Sequence, residues 1–305
     1  MTKSNWNRRD IISAGLALGL APSAAWSATE QPMLTKKIPA SGEALPVVGL
    51  GTYNVFDVDS TPKQIEIRRQ IVELLTSSGG NLLDTSPMYR RSEKVIGDVI
   101  KSGSDRDKLF LATKVWTDGR DAGEKQMQRS AQLMNTDVID LMQVHNLRDT
   151  ALHMATIREW QEAGKIRYSG LTHYTDGAQL GLGLEMQRFK PDFIQVNYSI
   201  GDRAADERLL PMAMDQGVAV LINRPFQAGQ LFSKVSGAAL PDWANEFAAS
   251  WGQFFLKFII SHPAVTCVIP ATSKINHMVD NLGAGTGQLP DQAMRQRMVD
   301  YFESL

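Results

Sequence analysis

From residue 47 to residue 269 short apolar runs of strand length recur along the chain. Each is followed by a stretch patterned for a helix. The strand candidates are Val47 to Leu50, Asn81 to Asp84, Leu109 to Thr113, Val138 to Val144, Ile166 to Leu171, Phe193 to Val196, Val218 to Ile222 and Val265 to Ile269. Helix candidates between and after them include Pro62 to Ser77, Glu93 to Lys101, Asp149 to Ala163, Arg203 to Gln216, Asp242 to Ser261 and a last one from Asp291 to Phe302. Strands apolar on both faces that alternate with helices indicate a buried parallel sheet with right-handed crossovers. Eight such units close into an α/β fold of the (β/α)8 TIM-barrel type. The competing doubly wound open sheet, in a nucleotide enzyme, carries G-x-G-x-x-G after its first strand. Here Gly49-Leu50-Gly51-Thr52-Tyr53-Asn54 lacks the third glycine, and Gly283, Gly285 and Gly287 are followed by Gln288 where another would be needed. The pattern therefore favours the barrel.

Composition narrows the function classes. The 305 residues carry 32 Lys+Arg against 33 Asp+Glu, so there is no basic field to draw nucleic acid or an anionic membrane. A hydrophobic fraction of 43% with 21% charged residues supports a sizeable core and argues against general disorder. The single cysteine, Cys267, cannot form an internal disulfide and fits a small buried residue of the last strand. No Cys/His cluster has zinc spacing, and a metal-dependent barrel hydrolase would need His and carboxylate ligands at several strand ends. Apart from His145 the strand ends supply no such cluster, so no metal is expected.

The first residues read as an address. Asn7-Arg8-Arg9-Asp10 precedes an uncharged stretch from Ile11 and small residues ending Ala25-Trp26-Ser27-Ala28, which resembles a twin-arginine (Tat) export signal. The expected organisation is a signal over 1–28, a polar link over 29–34 and the barrel over 35–305. This implies the Tat machinery as a partner, a periplasmic location, and no stable membrane insertion once the signal is cleaved. An uncleaved membrane anchor is the alternative, although the strongly apolar part is about half the ~20 residues a span needs.

Active sites of this barrel class lie at the carboxyl ends of the strands. The second predicted strand ends in Asp84 with Tyr89 five residues on, the third in Thr113-Lys114, and the fourth in Val144-His145-Asn146. Three successive strands thus bring a carboxylate, an ammonium and an imidazole to one rim, with a phenol above them. That set suits carbonyl reduction. A phenol of pKa ~10 is a weak acid, which a neighbouring Lys114 ammonium would strengthen. Asp84 would keep Lys114 charged, His145 would orient the carbonyl oxygen, and Tyr89 would deliver the proton.

Together with Gly49-Leu50-Gly51-Thr52 and Ile269-Pro270-Ala271-Thr272-Ser273-Lys274 through Asn281, these residues resemble the aldo-keto reductase superfamily over roughly residues 35–305. The resemblance implies an N-terminal β-hairpin, Thr35 to Leu45, closing the barrel bottom. It also implies NADPH bound without a Rossmann motif, beside Gly51 and Thr52. Thr172-His173 stands where relatives hold the nicotinamide carboxamide with Ser-Asn, and Gln195 matches their amide-binding glutamine. Asn223 occupies the place of a stacking aromatic. Arg224, Phe226, Gly229 and Leu231 fall in the pyrophosphate segment, Thr272, Ser273 and Lys274 in the 2′-phosphate segment, and Asp280 and Asn281 beside the adenine. Ala271 and His277 replace a Lys and an Arg common in relatives, which weakens the case for NADPH; it stays favoured over NADH on Lys274, the permanent cation of the segment.

Tyr53 and Trp116 are the candidate walls of the substrate pocket, whereas Trp243 and Trp251 read as core. The short connection after His145-Asn146 and the short stretch after the last helix predict an open mouth; an aldehyde or small ketone as substrate is what the resemblance implies. A non-catalytic nucleotide-sensing or partner-binding barrel subunit is the competing function, disfavoured by the complete set of four residues. An exported reductase lacks a source of free NADPH, a need that a tightly held cofactor recycled by a second substrate would remove.

Overall fold

The computed structural model describes residues 31–305 apart from 104–105, so the expected signal and the first two residues of the link lie outside the described residues. The described chain begins with a hairpin, β1 (Thr35–Lys37) and β2 (Ala44–Pro46), antiparallel with Lys36 opposite Leu45. Ahead of it, Leu34 N–H donates to the Gly285 carbonyl at 2.8 Å and Met33 is buried.

The barrel strands follow as β3 (Leu50–Gly51), β4 (Leu82–Asp84), β5 (Phe110–Val115), β6 (Ile139–His145), β7 (Ile166–Thr172), β8 (Phe193–Asn197), β9 (Ala219–Asn223) and β10 (Cys267–Val268). All pair in parallel and in sequence order. Between β10 and β3 the ring is completed by short bridges, with Gly49 N–H on the Val268 carbonyl and Val268 N–H on the Val47 carbonyl, each at 2.9 Å. Eight parallel strands inside a ring of helices form the (β/α)8 barrel that the pattern predicted.

The helices are α1 (Pro62–Ser77), α2 (Ser92–Lys101), α3 (Arg120–Leu133), α4 (Thr150–Glu162), α5 (Gln179–Phe189), α6 (Ala204–Glu207), α7 (Leu209–Asp215), α8 (Gln230–Lys234), α9 (Trp251–Ile260), α10 (Ile275–Gly283) and α11 (Gln292–Ser304). Helix α1 has the predicted bounds because Thr61 caps it and Pro62 occupies its first turn. The helix expected over Arg203 to Gln216 breaks at Arg208. Pro211 has no N–H to give and its ring would clash with the Glu207 carbonyl, so α7 starts afresh. The helix expected over Asp242 to Ser261 splits into a 3₁₀ turn, Asp242–Glu246, and α9. Ser250 between them accepts from Gln253 N–H at 3.0 Å as a new cap.

The strand period of two sets the interior. Ile38 and Leu45 of the hairpin close the bottom against Phe110, Tyr168 and Phe193, and Leu82, Ala112, Leu141, Leu221 and Cys267 pack with them in the same inner cluster. Two residues farther along β4, β5 and β6 the same face carries Asp84, Lys114 and Gln143, with His145 beyond. The barrel is therefore apolar below and polar at its carboxyl end. Trp243 and Trp251 pack on the main core through Phe254, as expected for core residues.

Candidate active site

Parallel register sets the polar layer. Lys114 lies opposite Gln143, and Thr172 is paired with both His145 and Gln195. Lys114 Nζ donates to Asp84 Oδ2 and to the Thr85 carbonyl, each at 2.7 Å, and the ion-paired side chains are 1% and 3% exposed. The second carboxylate oxygen, Oδ1, accepts from Gln195 Nε2 at 2.7 Å and from Gln143 Nε2 at 3.2 Å. Three donors thus hold the Asp84 carboxylate out of water. Burial works against the Lys114 ammonium, but Asp84 and Tyr89 outweigh it and hold its pKa above the ordinary lysine value.

Tyr89 ends a 3₁₀ turn, Pro87–Tyr89, for which Ser86 is the cap: Met88 N–H donates to Ser86 Oγ at 3.2 Å. Lys114 Nζ lies 5.0 Å from the centre of the Tyr89 ring, and Tyr53 meets that ring edge-on at 5.0 Å between centres. The His145 ring stands nearly perpendicular to it at 6.4 Å. The expected strengthening of the acid is present but does not win. Burial raises the Tyr89 pKa above 10 even though Lys114 pulls it down, so the phenol is held protonated near neutrality. His145 behaves oppositely: burial, then the Lys114 and His173 charges, lowers its pKa to about 3 and keeps the imidazole neutral.

Among the residues assigned to a cofactor, Gly51 is opposite Asp84, and a Cβ there would come within 2.8 Å of the Ile269 carbonyl. Thr52 is buried and donates Oγ1 to the Asp84 carbonyl at 2.9 Å. Thr172 and Gln195 belong to the polar layer itself, with Gln195 Oε1 accepting from Thr172 Oγ1 at 3.3 Å and Asn223 Nδ2 at 3.4 Å. His173 Nδ1 accepts from the N–H groups of Tyr174 and Thr175. After β9, Arg224 is exposed in the left-handed region with Phe226, Gly229 and Leu231 following. Thr272 is buried, Ser273 half-buried, and exposed Lys274 stands at the start of α10, where its N–H donates to Thr272 Oγ1 at 3.1 Å. Asn281 is buried, whereas Asp280 is occupied by Ser250 Oγ and Gln253 Nε2, which ties α10 to α9. Trp116 is half-buried with the Arg148 guanidinium 4.5 Å above its ring, and Tyr53 is 58% exposed at the rim.

Two participants escaped the sequence reading, Gln143 and Ser86. Each stands two residues from a recognised one, Gln143 before His145 and Ser86 after Asp84, and a polar residue repeated at strand period was the available signal. The layer also contains buried acceptors without partners among the described residues: Gln143 Oε1, Asn146 Oδ1, Asn197 Oδ1 and Asn223 Oδ1. In a folded protein such orphans call for a ligand or water. Those of Asn197 and Asn223 stand side by side at the paired ends of β8 and β9.

The aldo/keto reductase family model matches residues 47–297. A methylglyoxal reductase of Escherichia coli is 30% identical over 262 residues, covering 82% of this chain and 89% of that protein. An NADH-specific methylglyoxal reductase of the same organism is 27% identical, covering 69% and 73%. Among solved structures, an aldo-keto reductase from Klebsiella pneumoniae in complex with NADPH superposes with a TM-score of 0.75 at 23% identity, covering 88% of this chain and 96% of that one. The chain belongs to the aldo/keto reductase family.

Proposed function

We propose that this protein reduces a small aldehyde or ketone at the expense of a reduced nicotinamide cofactor, with a 2-oxoaldehyde such as methylglyoxal as the first substrate to try. The observation that carries this reading is the buried Asp84–Lys114 pair beneath Tyr89 and beside His145. The names of the methylglyoxal reductases among the relatives support the substrate class. So does the four-residue connection from β6 to α4, which leaves little loop to cover the site.

A bound dihydronicotinamide supplies hydride to the carbonyl carbon. Thr172, His173 and the free Asn223 acceptor would hold its carboxamide end; Thr272, Ser273 and Lys274 would hold the far phosphate. Tyr89 gives its phenolic proton to the carbonyl oxygen, and the phenolate left behind is stabilised by the Lys114 ammonium. Asp84, with Gln143 and Gln195 bonded to it, keeps that ammonium charged in a site from which water is excluded. Neutral His145 donates a hydrogen bond to the same oxygen and fixes the face presented to hydride.

Fluorescence titration with NADPH and NADH, followed by turnover of an aldehyde panel, tests the proposal. Binding with turnover supports it. Binding of either cofactor without turnover of any carbonyl favours the nucleotide-sensing subunit instead. We favour NADPH because Lys274 is an exposed cation at the start of α10. Lys274→Ala should weaken NADPH about 10-fold, the worth of one charge-assisted contact, and leave NADH binding nearly unchanged. Equal loss for both cofactors would assign Lys274 a structural role.

The pH profile follows from the same groups. His145, at about 3, stays neutral down to strongly acid pH, so kcat should show no ionisation of an ordinary histidine between pH 5 and 8. Tyr89 is active when protonated and its pKa is raised, so kcat should fall only on the alkaline side. A midpoint near 6.5 that disappears in His145→Gln would contradict the assignment. We also propose export by the Tat route. Replacing Arg8 and Arg9 by lysine should retain the precursor in the cytoplasm, and undiminished export would remove the proposal.

A further inference from the structure

Ser86 is fully buried between two of the groups just described and has no part in the chemistry derived so far. Its hydroxyl oxygen is 3.2 Å from the Met88 N–H, which it accepts as cap of the turn carrying Tyr89. The same oxygen is 3.3 Å from His145 Nδ1. A serine hydroxyl has one proton to give, and with Met88 acting as donor that proton has His145 Nδ1 as its bonded acceptor.

This arrangement decides which nitrogen of a neutral imidazole carries hydrogen. If Ser86 donates to Nδ1, Nδ1 is the lone-pair nitrogen and Nε2 bears the N–H. If the ring were in the other form, Nδ1–H would point at an oxygen that already accepts from Met88. The hydroxyl proton of Ser86 would then be left without a partner in a buried site, an arrangement proteins avoid. The two forms differ in function as well. Nε2–H donates to a substrate oxygen, whereas a bare Nε2 repels it.

We propose that Ser86 is a positioning residue that sets His145 in its Nε2–H form and ties the His145 ring to the turn bearing Tyr89. The proton donor and the hydrogen-bond donor then hold a fixed mutual geometry. The inference rests on the carbonyl-reductase reading for its consequence in turnover, but the tautomer itself is a property of the protein without substrate. Ser86 acts through His145 and Tyr89 and touches no reacting atom.

The tautomer is read from nitrogen-15 shifts and ring-proton correlations of His145 in the wild-type chain, with His145→Gln used to assign the signals. The expected result is a neutral ring with protonated Nε2 throughout the neutral range. In Ser86→Ala the signals should move towards a mixture of the two forms, and in Ser86→Thr, which keeps a hydroxyl, they should return. If the reductase reading is right, Ser86→Ala also lowers kcat by about 10- to 100-fold with little change in KM, and Ser86→Thr restores most of it. A wild-type ring protonated on Nδ1, or a Ser86→Ala ring indistinguishable from wild type, would overturn the proposal. The wild-type measurement needs no variant to fold. If the wild type reduces no carbonyl but its tautomer depends on Ser86, the positioning role stands and the reductase reading falls.

Discussion

Tyr89→Phe is expected to lower kcat for carbonyl reduction by about a thousandfold while leaving the dissociation constant of the reduced cofactor within about twofold. The substitution deletes one oxygen. The ring remains against Tyr53, and the turn Pro87–Tyr89 keeps its Ser86 cap, so the site should retain its shape. What is lost is the proton source. His145, whose pKa is lowered to about 3, is neutral, and its remaining ring N–H is far too weak an acid to replace the phenol. Steady-state kinetics beside a cofactor titration separate the two quantities. Parallel loss of binding and turnover would mean that the hydroxyl supports the cofactor site and is not the acid.

The second large effect concerns the pair beneath. Lys114→Met keeps most of the side-chain length but leaves the Asp84 carboxylate buried with only the two glutamine amides bonded to it. Breaking a buried pair from one side costs about 3–5 kcal/mol, because the remaining charge is uncompensated. For a domain of this size that corresponds to a fall in Tm of about 5–15 °C. Turnover should fall at least as far as in Tyr89→Phe, since the phenolate left by proton transfer then faces no cation. Adding Asp84→Asn removes the orphan charge and keeps an acceptor for Gln143 and Gln195, so the double variant should regain much of the lost stability without regaining activity. In the wild type the sign is fixed by the raised lysine pKa. The contribution of Lys114 is complete below its unfolded value and fades only as pH rises through its folded one, so the pair adds no pH dependence near neutrality. Thermal melts of the wild type and the two variants test this, and a Lys114→Met protein as stable as wild type would show that the pair is not a structural necessity.

How much of this was legible in advance follows from what a linear pattern contains. Strand positions came through because a fully buried parallel strand is an uninterrupted apolar run, and the eight runs placed Asp84, Lys114 and His145 at the correct ends. Helices α3 and α5 were not anticipated. The first is largely polar, and the second carries Gly181 and Gly183 in its middle, so neither presents a plain apolar stripe. For the break at Arg208 the local signal is Pro211, which stands inside an otherwise helical pattern. In the site the identities of four polar residues were legible because each closes an apolar strand or follows one. Their energetic balance was not, because the Tyr89 pKa depends on burial as well as on Lys114, and burial is a property of the assembled barrel. The bonds joining Gln143 and Gln195 to Asp84 span 59 and 111 residues, beyond the reach of local pattern. Asp280 shows the converse, a position matched by sequence whose carboxylate the fold uses to join two helices.

The most direct test of the account is a single turnover. The protein is loaded with one equivalent of the reduced cofactor it binds and mixed with excess methylglyoxal, and the nicotinamide fluorescence is followed. The account predicts complete loss of the signal in the wild type, with alcohol formed in equal amount, and a persistent signal in Tyr89→Phe over the same interval. Equal decay in the two proteins, or none in the wild type with any aldehyde or ketone offered, would contradict the claim that this buried cluster is a carbonyl-reducing site.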